Sequence, residues 1–561
     1  MVKFEELPCH IIEKILNYAG KPHKNFALVC KSFNDAVCGI DEFQFSVSLD
    51  LLSESIFGSI IKSKRKISSV NIYSDSDSKL EAYKMHKLFK VIEAHGKNIK
   101  QLHLKFYSKI FMSDWIQIFL NIPNCKDLKI DFPFDTSEPL GTISSIAHNL
   151  EMLELVNPPF EENPKYFQMF TSTNTLTHLT LDLAQVNFEY LKKIFKQQPN
   201  IKHFKVSFKE ITFSYNVVFE KSNLETLKIS YENKVFNENV YNLLRNQENL
   251  LELQLDEKVE DFNSNAVIPL NVMKKLKRLT LCHNFELRHL IEVGALESLE
   301  MLEINDNAFK HSSNTFLELN WPNVTHLKLN SSIFDQYDEE EYPFQMLHGI
   351  MPNLRNFELY TCLSEPEDSD FELDHSKRIF VSSCLKKVLI MWPNLESFGM
   401  IDIGNDVYDE YFKTVDISCL LEDDRINKNL KVLKLNIPII LNTAQVLKLI
   451  YDYPKLEHIE MDVKEAEFQS AATIITYFKL MIKKLKHLKI IKINLFTLVF
   501  MLENFNFIIE HGTHMKRIEF TFLDLIDEEE DNDINYDGFF AMLKVYFKNV
   551  YFDDYHFILE N

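Results

Sequence analysis

The chain has 561 residues, 46% hydrophobic and 25% charged, a balance that gives a folded protein and excludes a disordered one. Lys and Arg total 61 against 82 Asp and Glu, a net charge of -21, which argues against a phosphate-tracking surface and so against nucleic acid as a partner. With only 11 Gly and neither GxGxxG nor GxxxxGK[ST], glycine-dependent phosphate and dinucleotide loops are excluded too, and no cofactor is expected.

The chain opens on MVKFEELPCHIIEK, with acidic residues where a signal peptide needs a basic flank and an apolar run. A cytoplasmic or nuclear location is therefore expected, and no membrane contact, since the longest apolar stretch, 496–502, is far short of a bilayer span. Pro8 suits a helix start, and Ile11, Ile12, Ile15 and Leu16 then form one apolar stripe. After the breakers of 20–22, Phe26, Val29, Phe33 and Val37 form a second stripe at helical spacing. Two helices this short cannot bury both stripes against each other alone.

Beyond residue 38 the sequence keeps a clock. NLEMLELVN at 149 returns as TLTHLTLDL at 175, NIKHFKVSF at 200, NLETLKISY at 223, NLLELQLDE at 249, KLKRLTLCH at 275, SLEMLEIND at 298 and NVTHLKLNS at 323. The leading apolar residues Leu150, Leu176, Ile201, Leu224, Leu250, Leu276, Leu299 and Val324 are separated by 26, 25, 23, 26, 26, 23 and 25 positions. The pattern continues at Leu354, Leu395, Leu430, Leu456, Leu488, Met515 and Phe547, and upstream, less regularly, at Ile99, Ile67 and Ile40, for about 18–19 repeats. Within each, two apolar residues two apart, such as Leu153 and Leu155, predict a short strand with one buried face. Helical spacing precedes the next strand, as in Phe188, Leu191, Ile194 and Phe195, or Phe344, Leu347 and Ile350. The expected unit is strand, turn, helix, turn.

The residue between the two strand leucines faces away from the helices and reads Glu154, Thr180, Lys205, Lys228, Gln254, Thr280, Glu303, Lys328, Glu358, Gly399, Lys434, Glu460, Lys492 and Glu519. Lys and Glu balance there, so a uniformly acidic face is not expected. The acid lies instead in four runs free of Lys and Arg, 335–341, 365–374, 422–424 and 527–533, which hold 5, 6, 3 and 6 carboxylates and coincide with long intervals between repeats. Such insertions emerge as loops on one face of a repeat array. Asp338, Glu339, Glu340, Glu341, Glu365, Glu367, Asp368 and Asp370 are candidate contacts for a protein substrate with a basic segment.

Chemistry is harder to find. The eight cysteines, Cys9, Cys30, Cys38, Cys125, Cys282, Cys362, Cys384 and Cys419, show no CxxC, so they are expected as reduced, mostly buried thiols and not as zinc ligands. The pair His511 and His514 lacks further ligands at zinc spacing, and Cys9 beside His10 falls within the first predicted helix. No catalytic residue and no metal are expected.

Two resemblances organise these readings. The LxxLxL repeat, with its period in the twenties and helical half-repeats, resembles helix-backed leucine-rich repeats of the ribonuclease-inhibitor kind. That implies an α/β solenoid over 39–561, a parallel sheet curved into an arc or horseshoe. The family places Asn or Cys three residues past the last strand leucine; Asn284, Asn307 and Cys362 comply, whereas Ala184, Lys209, Glu232 and Lys258 do not, so an irregular array is expected. Residues 1–38 resemble an F-box through Leu7, Pro8, Ile11, Ile12, Ile15, Leu16, Leu28, Val29, Cys30, Lys31, Phe33 and Val37, with a slightly short loop and Phe33 where Trp is commoner. The resemblance implies that these residues dock a Skp-family adaptor and, through it, a cullin ubiquitin ligase, leaving the repeats to hold the substrate. The rival reading is a repeat scaffold outside any ligase, whose N-terminal helices only cap the array.

Overall fold

The computed structural model describes residues 43–48, 54–63, 66–74, 82–106, 112–131, 149–158, 175–211, 217, 219–220, 222–231, 238–257, 269–282, 296–304, 320–330, 342–361, 387–402, 427, 429–439, 442–463, 471–495, 510–512, 514–522, 544–552 and 556–560. The chain divides into two units, Met1–Lys275 and Leu276–Asn561.

In the first unit, β1 (Phe43–Ser48), β2 (Ile67–Ser74), β3 (Gln101–Phe106), β4 (Asp127–Asp131), β5 (Met152–Val156), β6 (His178–Val186), β7 (His203–Ile211), β8 (Thr226–Tyr231) and β9 (Glu252–Glu257) form one sheet. Each strand pairs in parallel with the next. Parallel neighbours require a crossover, and helices supply it in several repeats. These are α1 (Glu54–Ile61), α2 (Ala82–His95), α3 (Met112–Leu120), α4 (Phe188–Gln197) and α5 (Glu238–Leu244). α4 shows why the half-repeat is helical. The Asn187 side chain accepts from the Glu189 N–H at its start, and Phe188, Leu191 and Ile194 are buried along one stripe. Phe188 meets Phe208 of β7 edge-on at 6.2 Å, and Phe195 meets Phe204 at 4.9 Å, fixing the helix on the leucine face of the sheet.

The second unit repeats the plan with β10 (Arg278–Cys282), β11 (Met301–Ile304), β12 (His326–Asn330), β13 (Asn356–Thr361), β14 (Ser397–Asp402), β15 (Val432–Ile439), β16 (His458–Val463), β17 (Ile490–Leu495) and β18 (Arg517–Phe522), again parallel throughout. Among the described residues its longer helices are α6 (Tyr342–Ile350), α7 (Thr443–Asp452) and α8 (Ala471–Lys484). α7 starts with a reciprocal cap between Asn442 and Gln445. The last strands break the rule. β20 (His556–Glu560) runs antiparallel to both β18 and β19 (Asn549–Phe552) and lies between them.

The periodic triplets form the core of both units. The leading residue of each described repeat is buried, from Ile67 and Ile99 through Leu150, Leu250, Leu354 and Leu488 to Phe547, and Leu153, Leu155, Leu302 and Ile304 show the strand pair equally buried. The helical stripes predicted from Phe188 and from Phe344, Leu347 and Ile350 are α4 and α6. One repeat escaped the pattern: β4, between Ile99 and Leu150, is led by Cys125, fully buried where its neighbours have Leu or Ile. Phe547 leads β19, which keeps the direction of the repeats but stands one place out because β20 intervenes. Ala184 and Lys209, at the family's Asn position, are exposed ends of the long strands β6 and β7, so those repeats continue as sheet where an Asn would turn the chain. Asn284, Asn307, Cys362, Ile40 and the whole of 1–38 lie outside the described residues.

Candidate binding surfaces

The strand face opposite the helices carries the residue between each pair of buried leucines. In the second unit the register aligns Thr280, Glu303, Lys328, Glu358, Gly399, Lys434, Glu460, Lys492 and Glu519 in one row. Charges of opposite sign stand side by side and satisfy one another. Lys328 lies 3.4 Å from Glu358, and Lys492 sits 3.1 Å from Glu460 and 3.6 Å from Glu519. Lys434 reaches Glu358 at 3.2 Å across the strand between them, because that strand offers Gly399 and no side chain. Burial alone would push Glu358 upward in pKa, but Lys434 and Lys328 outweigh it and hold the carboxylate below its ordinary range. Glu460 is held low in the same way, by Asn436 and Lys492 against burial. In the first unit the row is Asn71, His103, Lys129, Glu154, Thr180, Lys205, Lys228 and Gln254, with Lys129 paired to Glu154 at 2.7 Å and Lys228 to Glu252 at 2.8 Å. Beside it, His178 and His203 stack at 4.1 Å, and burial together with His203 lowers the pKa of His178.

A second surface runs along the turns that lead into the strands. Many of these turns read apolar-Pro-Asn-apolar, as in Ile122-Pro123-Asn124-Cys125, Trp321-Pro322-Asn323-Val324 and Trp392-Pro393-Asn394-Leu395. The flanking apolar residues are buried, while Asn124 and Asn323 donate from Nδ2 to the carbonyls of Lys97 and Glu297 in the preceding repeat. Asn149 does the same to Pro123 at 2.9 Å, Asn223 to Pro199 at 3.3 Å and Asn353 to Pro322 at 2.8 Å. Each of these bonds spans one repeat and ends two residues before the leading position of the repeat below. The array therefore has an asparagine ladder at the start of its strands. The signal was legible: Asn immediately before the leading apolar residue at 98, 124, 149, 200, 223, 249, 323, 353, 394 and 429.

Among the described residues, each unit has a groove on this leading edge. That of the first unit, about 540 Å³, is lined by Thr175, Thr177, Asn200, Lys202, Asn223, Glu225 and neighbours. That of the second, about 400 Å³, is lined by Thr325, Asn353, Arg355, Asn394, Glu396, Asn429, Lys431 and Lys455.

The adaptor-docking residues expected between Leu7 and Val37 lie outside the described residues, and so do all four acidic runs, including Asp338 to Glu341 and Glu365 to Asp370. Among the described residues no group of three or more His, Cys, Asp and Glu is placed to hold a metal ion, and no helix is long and apolar enough to cross a membrane. His511 is half-buried, 3.7 Å from Glu510, and His514 is exposed in the turn before Met515.

No family model matches the sequence, and no curated protein matches it. Among solved structures, the crystal structure of the Rad7 and Elc1 complex in yeast is similar to this chain with 14% identity and a TM-score of 0.33, over 65% of this chain and 90% of that one.

Proposed function

We propose that the chain is the substrate-recognition subunit of a cullin-type (SCF) ubiquitin ligase. In this reading residues 1–38 dock a Skp-family adaptor through Leu7, Pro8, Ile11, Ile12, Ile15, Leu16, Leu28, Val29, Cys30, Phe33 and Val37, and the repeats hold a protein substrate. The observation that carries it is the pairing of an F-box-like segment with a register-locked array of parallel repeats, whose outward side chains stand in continuous rows. Such rows recognise a partner by matching many positions at once. The chain would contribute proximity: tethering a substrate lysine beside a charged conjugating enzyme raises its effective concentration, and no residue of the receptor enters the reaction. The acidic runs at 335–341, 365–374 and 422–424 belong to consecutive repeats, and a basic segment of the substrate is the partner they suit.

The test is affinity purification of the full chain beside the Leu7→Ala, Pro8→Ala double variant, with proteasome activity blocked. Interface anchors of this kind are worth about 2 kcal/mol or more each, so adaptor and cullin are expected to disappear from the variant while co-purifying substrate persists. Equal recovery of adaptor from both proteins, or no adaptor from either, overturns the ligase reading in favour of a repeat scaffold whose N-terminal helices only cap it.

A further inference from the structure

We infer that the leading edge of the second unit is a docking strip for an acidic, extended polypeptide segment, although the protein as a whole is strongly acidic. The strip is built from the turns before β13 to β18. Arg355, Lys431 and Lys455 line its groove with a single carboxylate among them, Glu396, which lies 2.6 Å from Lys431 and 3.5 Å from Arg355. Beyond the groove the same edge carries Lys486, Lys489 and Lys516, all exposed. Of these, Lys489 pairs with Glu457, while neither Lys486 nor Lys516 has a carboxylate partner among the described residues. Neighbouring strands are about 4.8 Å apart, so cations on adjacent turns fall within one Debye length, about 8 Å at physiological ionic strength, and their fields add. The open face of the same unit offers no such surplus, because its lysines are engaged by Glu358, Glu460 and Glu519. The first unit's groove carries fewer cations, Lys202, which pairs with Glu225, and Lys275, which donates to Asn249.

Three features select a peptide over a nucleic acid. Asn353, Asn394 and Asn429 set a primary amide at three successive turns of the groove; Asn353 donates to Pro322 and keeps its Oδ1 as an acceptor, and Asn429 accepts from Lys455 and keeps its Nδ2 as a donor, groups that complement backbone N–H and C=O. No aromatic side chain lines the groove, so bases have no platform to stack on. Glu396 interrupts the cations, which suits spaced carboxylates better than an unbroken phosphodiester. The inference does not depend on the ligase reading.

The test uses the full chain and three fluorescent probes: a peptide of alternating Glu and Ser, its Lys and Ser counterpart, and a single-stranded oligonucleotide of the same net charge as the Glu peptide. The Glu peptide is expected to bind with an affinity that falls as salt rises. The triple reversal Lys455→Glu, Lys486→Glu, Lys516→Glu is expected to weaken it by about tenfold or more, while Lys97→Glu, Lys100→Glu, Lys275→Glu on the first unit changes it little. Thermal melting verifies that both triple variants fold; if the first does not, the corresponding Lys→Gln variant replaces it. No binding of the Glu peptide, equal loss in both variants, or oligonucleotide binding as tight as the peptide would each overturn the inference.

Discussion

Cys125 occupies the leading position of its repeat, and burial pushes its thiol up to about 12, with the S–H donating to the Asp127 carbonyl at 3.3 Å. A thiol held so far above neutrality presents almost no thiolate, which is the species that reacts. Iodoacetamide at mildly alkaline pH is therefore expected to leave Cys125 unmodified in the native protein and to label it only in denaturant; peptide mapping of the native sample would expose an error if the label were found there. Gly399 acts by what it lacks. A Cβ at this position would lie 3.1 Å from Cγ of Glu358, on the path by which Lys434 reaches that carboxylate. Gly399→Val is expected to separate the pair and raise the Glu358 pKa toward its ordinary value. Lost ion pairing and gained strand propensity should leave stability within about 1 kcal/mol of the parent. A carboxylate titration followed by NMR reads the shift directly. Cys125 was legible as a buried thiol from spacing alone, but not as the head of a repeat, because a search for branched aliphatics passes over it. The role of Gly399 was illegible, since it depends on residues 41 positions before and 35 positions after it that only the register brings together.

At the scale of one strand and its turn, the triplet and the asparagine divide the work. The leucines supply the non-directional burial, and the Asn bond to the previous repeat fixes the spacing at the leading edge, where the turn carbonyls would otherwise bond to water and leave adjacent turns untied. Leu302, on β11, is buried between strands on both sides, with Leu279 and Leu327 as its register partners. Leu302→Ala is expected to cost about 2–5 kcal/mol through the cavity it leaves, and Leu302→Asp more, as an unpaired buried charge. Urea unfolding followed by limited proteolysis checks this: normal protease resistance in the Asp variant would mean that the strand faces the other way. Strand existence and inward register were readable because period two and a conserved spacing of the leading residue constrain each other. The asparagine ladder was readable too, as Asn directly before the leading apolar residue, but the carbonyl each amide meets was not, since the bond reaches back over a repeat whose length varies, 24 positions from Asn223 and 31 from Asn353.

Both units carry histidines that make the whole molecule sensitive to acid. His103 and His178 in the first unit, and His326 and His458 in the second, are held below the ordinary value of 6.5, burial being the largest cause in each. A histidine lowered in the fold stays neutral there but takes up a proton on unfolding. The unfolded state thus binds more protons below about 6.5, and stability falls as pH falls. Glu358 and Glu460, lowered from 4.5, add a further loss below that value. Asp127 and Asp131, raised from 3.8 chiefly by burial, have the opposite sign and partly offset it. The expected urea midpoint is level above neutrality, declines from about pH 6.5, and declines again near 4.5. A midpoint that rises on mild acidification would show that the histidines are not buried in the neutral form.

The interposition of β20 also dictates an order of assembly. β18 leaves the ribosome well before residues 556–560, so its outer backbone groups have no permanent neighbour while β19 is being made. β19 cannot take the vacant place without excluding the strand that belongs there. The chain must therefore hold an open sheet margin through the synthesis of more than 30 residues, and then insert β20 between two strands already present. Among the parallel repeats each strand can join the one before it as soon as it emerges; here the final register waits for translation to pass residue 560.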